Sequence, residues 1–439
     1  MKRTGLILIV ILFLPDQAIK AQQAGPWTLE ACIEYALNQN IQVRKSVLTN
    51  DRFRVSAEQA KAQRLPSASA SVSQTFNWSK SEVAGETGFT GTNGTNYSVS
   101  SGITIYDGLR INNSIKQADL DLEAGQYSLE TTKESISLSI LNAFLQVLYA
   151  EEQVKNSEKQ IESTQEQLRL AGERLALRII AQSDYAQVKS QLASEKYTLA
   201  NSESQLSIAK VNLMQLMELP VTPDFNIAEP NLDKNINQNR VTDVTSVYET
   251  SLSIRPQIQY ASINKDIAAI DEKIARAGYF PTLSANAGIG STFESQMVDP
   301  YLNQLGNGVR PYMGLSLSVP IYQKKQVKSS VSIAKIGYED AILSETDTKN
   351  ELRKNIEQAC TDVNSAQVEY EASLEQYQAT LEASTLNEEK FNQGLINSVD
   401  YLVSKTNLIV AESQLLQSKY KMLFSYKILD FYSGIPLSL

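Results

Sequence analysis

No histidine occurs anywhere in the 439-residue chain. That absence removes the usual general base of hydrolytic triads and the commonest metal ligand. The carboxylates are scattered without a partner pattern that would build a catalytic or metal site. No Gly-rich phosphate loop followed by Lys and Ser/Thr is present, and no redox centre is apparent. The expectation is a protein that catalyses nothing and holds no cofactor and no metal, so that any energy for its work comes from a partner. Only Cys32 and Cys360 are found, too few for a disulfide framework, and both are expected to be buried thiols. The formal net charge is −9, which makes nucleic acid a poor partner. Proline (12) and glycine (19) are sparse, so long uninterrupted elements are allowed.

The only dense apolar run lies at the start, Leu6 to Leu14, behind Lys2 and Arg3 and ahead of Ala21. It reads as a secretory signal over residues 1–21, too short for a membrane span. Its removal takes away Lys2, Arg3, Lys20 and Asp16, leaving a still more acidic chain. No cysteine follows the expected cut, which argues against a lipid anchor there.

What is present is periodicity. Ile140, Val147, Val154, Ile161, Leu168 and Leu175 recur every seven residues, and Ala143, Ala150, Ser157, Thr164 and Ala171 follow the first five by three. Tyr185, Leu192, Leu199, Leu206 and Leu213 continue the spacing after a turn. Two such stripes predict an antiparallel helical hairpin with coiled-coil packing. The pattern returns 216 residues later, with Ile356, Val363, Tyr370 and Tyr377, then Ala359, Ala366, Ser373 and Thr380, then Tyr401, Leu408, Leu415, Met422 and Leu429. Both size columns stay in register, so the chain is read as an internal duplication: a first repeat over 22–219, an irregular Pro- and Asn-rich connector over 220–245, and a second repeat over 246–439. No proline interrupts 108–177 or 324–392, so each descending helix is expected to reach about 100 Å.

Each repeat also carries alternating segments. A helix expected from Thr28 to about Arg64 stops at Pro66. From Ser67 to Trp78, Ala68, Ala70, Val72, Phe76 and Trp78 alternate with Ser, Thr and Asn, which predicts a strand with one apolar and one hydroxylated face. A polar loop over about 79–96 is expected next, then a strand over 97–106. After Pro281 the pattern recurs with Leu283, Ala285, Ala287 and Ile289, and again with Leu315, Leu317, Val319 and Ile321, where Pro320 implies an edge or a strand end. One such strand fits a half-exposed soluble sheet. Aromatics at the expected strand ends (Trp78, Tyr97, Tyr106, Phe293, Tyr312 and Tyr322) instead favour a lipid-facing barrel wall. Four strands cannot close in lipid, so several chains are expected to share one barrel.

With WTLEACIEYAL (27–37), proline-led strands in both halves, IYDGLR (105–110) and the tip FNQGLINSVD (391–400), the mature chain resembles the outer membrane efflux proteins, the TolC-like channels. The resemblance implies a mixed membrane fold. Four β-strands per chain contribute to a trimeric twelve-stranded outer-membrane β-barrel, continued by a long periplasmic α-helical coiled-coil barrel. It implies a homotrimer in the outer membrane of a Gram-negative bacterium, in contact with outer-membrane lipid. The channel is implied to be the passive exit duct for an inner-membrane transporter and a periplasmic adaptor (membrane fusion) protein. Asp400 falls where the family places an aperture-lining acid, with Asp184 its counterpart, and the reading of either as a helix-start acid facing the dipole stays open. The position one turn past Asp400, often acidic in relatives, is Val403. Adaptor docking is implied at the tip turns, Arg178 and Ile179 in the first hairpin and Gly394, Leu395, Ile396 and Ser398 in the second, with Arg178 standing where the second tip has Gly394. Lys324, Lys325 and Lys328 could meet lipid phosphates or form a solvated cluster. The same fold serving type I protein secretion, and a trimeric stalk or adhesin, are the rival readings.

Overall fold

In the computed structural model the described residues are 25–83, 86–229 and 243–438. The expected signal over 1–21 and residues 230–242 of the expected connector lie outside them. The first helical segment is two helices, α1 (Leu29–Gln39) and α2 (Ile41–Ala62). This corrects the single helix expected to Arg64. Asn40 interrupts it by accepting from the Gln42 amide at 2.8 Å and donating to the Leu216 carbonyl at 2.9 Å. The Asn40 side chain thus caps one helix start and one helix end.

The sheet follows, with β1 (Ser67–Val83), β2 (Glu86–Tyr106), β3 (Thr282–Glu294) and β4 (Arg310–Ser318) in the antiparallel order β1-β2-β3-β4. Residues expected as a loop over 79–96 instead pair across a long hairpin, Ser79 with Thr90 and Trp78 with Gly91. Asn and Gly are weak strand formers, but pairing across the hairpin gives their backbone groups ladder partners. Trp78 and Tyr97 therefore lie inside strands and not at their ends, whereas Tyr106 ends β2. Strand β4 stops before Pro320, which removes the awkward proline from the ladder.

Pairs in register share a face. One face carries Ala70, Val72, Val99, Ile289, Leu315 and Leu317, with Val72, Leu315 and Leu317 at 64–73% exposure. The other carries serine pairs, Ser69 to Ser100 at 3.0 Å and Ser71 to Ser98 at 2.7 Å. On the apolar face a short helix, α7 (Tyr301–Asn307), packs Tyr301 against the Phe293 ring at 4.7 Å. Gln304, itself buried, accepts from the Glu294 amide at 2.9 Å and donates to the Asp299 carbonyl at 2.7 Å. Because β4 begins opposite Gly290, Gln304 satisfies an edge amide that no strand reaches.

The helices α3 (Arg110–Ala176) and α4 (Gln182–Leu216) form the first hairpin, and α8 (Gln326–Asn392) and α9 (Ser398–Tyr432) the second. Both descending helices are 67 residues long, about 100 Å. Between the halves stand α5 (Val244–Ile254) and α6 (Pro256–Ala277). Near the sheet the helices lie side by side as α2-α3-α6-α8, and farther away as α4-α3-α9-α8. The small column is buried throughout, at Ala143, Ala150, Ser157, Thr164 and Ala171, whereas the large column is buried at Ile140, Val147 and Ile161 and half-buried at Val154, Leu168 and Leu175. Serine pairs tie the arms at matching sites, Ser157 to Ser202 at 3.4 Å and Ser373 to Ser418 at 2.6 Å. Helix α1 and the segment around Phe225 and Ile227 pack on α3, α4 and α9, where Cys32 is buried and its thiol is pushed up to about 12 by burial. Cys360 is buried too, so neither thiol is poised for reaction.

Ala366 is fully buried, so Ala366→Leu should overpack the hairpin and lower stability by about 1–3 kcal/mol. Gln165→Leu, on an exposed site of α3, should change it by less than about 0.5 kcal/mol. Thermal unfolding of both variants in detergent compares them, and equal tolerance would mean that the size columns carry no packing information.

Candidate functional site at the hairpin tips

The two long hairpins turn by the same backbone device. In the first, the Ile179 amide donates to the Arg174 carbonyl at 2.9 Å, and in the second the Leu395 amide donates to the Lys390 carbonyl at 2.8 Å. These are the long closing bonds of helix ends that finish in a left-handed residue. Arg178 at φ 57° and Gly394 at φ 73° fill that position. Glycine adopts it freely and arginine at a cost of about 1–2 kcal/mol. Each turn projects apolar side chains into solvent, with Leu177, Ile179 and Leu395 at 67–71% exposure. Ile396 is half-buried beside them.

The acids sit differently from one another. Asp184 is half-buried, and its carboxylate accepts from the Ala181 amide at 3.3 Å and from the Ser398 hydroxyl at 2.8 Å. It therefore caps α4 and also ties the first hairpin to the start of the second. Ser398 is buried at this contact. Asp400 is exposed in the first turn of α9, where Asn397 caps the helix by accepting from the Asp400 amide at 2.9 Å. Its carboxylate is thus not needed for the cap. Arg174 adds a second tie by donating to the Asn392 carbonyl at 3.2 Å. Phe391 stacks on Tyr401 at 4.7 Å and 11°. At the other end of the hairpins, Lys324 and Lys325 take left-handed conformations and are exposed.

Farther from the tip lies a cluster that the periodicity did not reveal. Lys405 is 5% exposed and Glu195 6%. The Lys405 ammonium donates to the Thr164 hydroxyl and to Gln167 at 3.4 Å, and stands 3.7 Å from the Glu195 carboxylate. Gln167 also donates to the Tyr401 hydroxyl, and Gln191 to Glu195 at 3.0 Å. One Glu195 oxygen is buried without a hydrogen-bond partner. Burial pushes the Lys405 ammonium below the usual lysine range, opposed by the Glu195 and Glu388 carboxylates. The signal available in the sequence was the comparison of the repeats, because Glu195 corresponds to Ala411 and Lys405 to Lys189.

The tips thus present ties, turns and exposed apolar surfaces. Among the described residues no group of three or more Cys, Asp or Glu residues could hold a metal ion, and no helix is long and apolar enough to cross a membrane.

A comparison with curated protein sequences finds no match. Several solved structures share the fold. CusC aligns at 15% identity over 96% of this chain and 97% of its own, with a TM-score of 0.81. The CmeC outer membrane channel of Campylobacter jejuni aligns at 16% identity over 92% and 85%, with a TM-score of 0.76. The outer membrane protein VceC of Vibrio cholerae aligns at 17% identity over 92% and 96%, with a TM-score of 0.74. These likenesses establish the TolC-like fold, a helical majority with a small antiparallel sheet of four strands. The family model for outer membrane efflux proteins matches residues 32–218 and 247–434, and with both halves covered the chain belongs to the outer membrane efflux protein family.

Proposed function

We propose that three copies of this chain close into one twelve-stranded barrel in the outer membrane of a Gram-negative bacterium, continued by a helical tube across the periplasm. The tube is the passive exit duct for an inner-membrane transporter and its periplasmic adaptor. The observation that carries this reading is that, among the described residues, both long edges of the chain are left unpaired. One edge is β1, α2 and α4, and the other is β4 and α8. Apolar side chains stand exposed on both, Leu48 and Val55 on α2 and Ile333, Ile336 and Leu343 on α8, each at 59–70%. At about 1.5 Å per residue, Val55 and Ile333 lie roughly 10 Å from the sheet-side ends of their helices, and Leu48 and Leu343 roughly 20–25 Å. Edges that expose apolar residues at matching depth fit together when copies sit side by side, and open strand edges are not tolerated in lipid.

In this reading residues 1–21 are removed on export, 22–219 and 246–439 are the two repeats, and 220–245 joins them. The exposed tip residues Ile179 and Leu395, with Arg178, Gly394 and Ile396, form the adaptor-docking rim, and Ser398 sets its geometry from beneath. Asp400 lines the periplasmic aperture, with Asp184 behind it.

Purified protein in planar bilayers tests the duct and its aperture together. Discrete conductance steps with cation preference are expected, since converging carboxylates attract cations near the mouth, within about 8 Å in physiological salt. Asp400→Asn should reduce cation preference and divalent block, and Asp184→Asn should add less because that carboxylate is tied to Ser398. Unchanged selectivity and block in the double variant would remove both acids from the aperture, and a protein that never conducts would remove the duct.

A further inference from the structure

The contact between the two hairpins inside one chain supplies a template for the contact between copies; this inference rests on the trimeric reading above. Inside the chain, the descending helix α3 meets the ascending helix α9, and Thr164 receives the Lys405 ammonium. The repeat offset of 216 residues moves Thr164 to Thr380 on α8 and Lys405 back to Lys189 on α4. Helices α8 and α4 are the opposite edges of the chain. Thr380 and Lys189 can therefore meet only across two copies.

Burial supports the transfer. Thr164, Lys405, Tyr401 and Ser398 are at most 5% exposed. Their counterparts at the chain edges are open, with Thr380 and Tyr185 half-buried and Lys189 and Gln182 exposed. Hydroxyl, ammonium and phenol are kept at the first three positions, although the edge residues face no second hairpin within the chain. Quasi-equivalent packing explains why a threonine, a lysine and a tyrosine stand there.

We propose that Lys189 of one copy inserts against Thr380 of the next, taking at the seam between copies the place that Lys405 takes within the chain. The two seams then differ in one respect. The carboxylate of Glu195 and the amide of Gln167 are replaced by Ala411 and Ala383, so the seam between copies holds its ammonium by a hydroxyl without a buried acid. The ion pair inside the chain keys one hairpin to the other, and the seam between copies lacks that key.

The test is site-directed crosslinking of the full chain in membranes. Because a lysine side chain bridges the pair, a short bifunctional maleimide replaces a direct disulfide. Lys189→Cys combined with Thr380→Cys should give covalent trimers on denaturing gels. Lys189→Cys combined with Ser365→Cys, displaced along α8 by about 22 Å, should give none, and the wild type with its buried Cys32 and Cys360 should give none. Particle mass is measured on the same samples. Trimeric particles in which the first pair fails to link, or links no better than the displaced pair, would overturn the assignment and leave the trimer standing. Particles that are not trimeric would overturn both.

Discussion

Lys405→Met should destabilise the helical part of the chain by about 3–5 kcal/mol, the cost of leaving a buried carboxylate without its counter-charge. Glu195 is 6% exposed and one of its oxygens already lacks a partner, so solvent cannot take over from the ammonium. Exchanging both residues, Lys405→Met with Glu195→Met, removes both desolvation costs and should return stability to wild type or above it. Thermal unfolding in detergent, followed by helix content, would read the difference. A single variant as stable as the double would mean that Glu195 is left unpaired at no cost, and the pair would lose its role as a key between hairpins.

The second large effect is expected at Arg255, which is 4% exposed and joins three elements. It pairs with Glu134 of α3 at 2.8 Å, donates to the Phe431 carbonyl at the end of α9, and lies 3.9 Å from the Phe431 ring. Ser251 donates to the next carbonyl, Tyr432, at 2.6 Å. Together they close the end of α9 where α6 continues its line, as Asn40 does between α4 and α2. Arg255→Leu leaves the half-buried Glu134 carboxyl and the Phe431 carbonyl without their donor and should cost about 1–3 kcal/mol. Burial already raises the Glu134 carboxyl above the usual range, and Arg255 opposes that rise. Without the arginine the folded-state value rises further. A raised carboxyl binds its proton more tightly in the folded state, so the penalty should be smallest in acid and grow as pH rises from the ordinary carboxylate range through the raised folded value. A loss independent of pH would point to lost packing and not to the stranded charge.

Much of this fold was legible because its signals are periodic. The column of Ala143, Ala150, Ser157 and Thr164 needed only spacing and size, and the structure buries it. The apolar and serine faces of β1 followed from alternation, and register confirms them. What was illegible depends on partners remote in sequence. Asn40 ends a helix because a carbonyl 176 residues away needs a donor, and nothing beside Asn40 announces it. The segment over 79–96 looked like a loop because it is rich in Asn and Gly, which are weak strand formers, whereas its ladder comes from pairing with itself. At the tips the turn residues were legible from Gly394, but the Asp184 tie to Ser398 was not, since it joins the two repeats across 214 residues. Lys405 and Glu195 were hidden because each looks like one more solvated charge on a helix rich in them.

In the trimeric reading the two edges of one chain are closed by other copies of it. Imaging detergent-extracted particles, with their protein mass measured in parallel, tests that most directly. Three chains per particle, threefold symmetry, one barrel and one tube about 100 Å long are expected. A stable single-chain particle with its own closed barrel would contradict it.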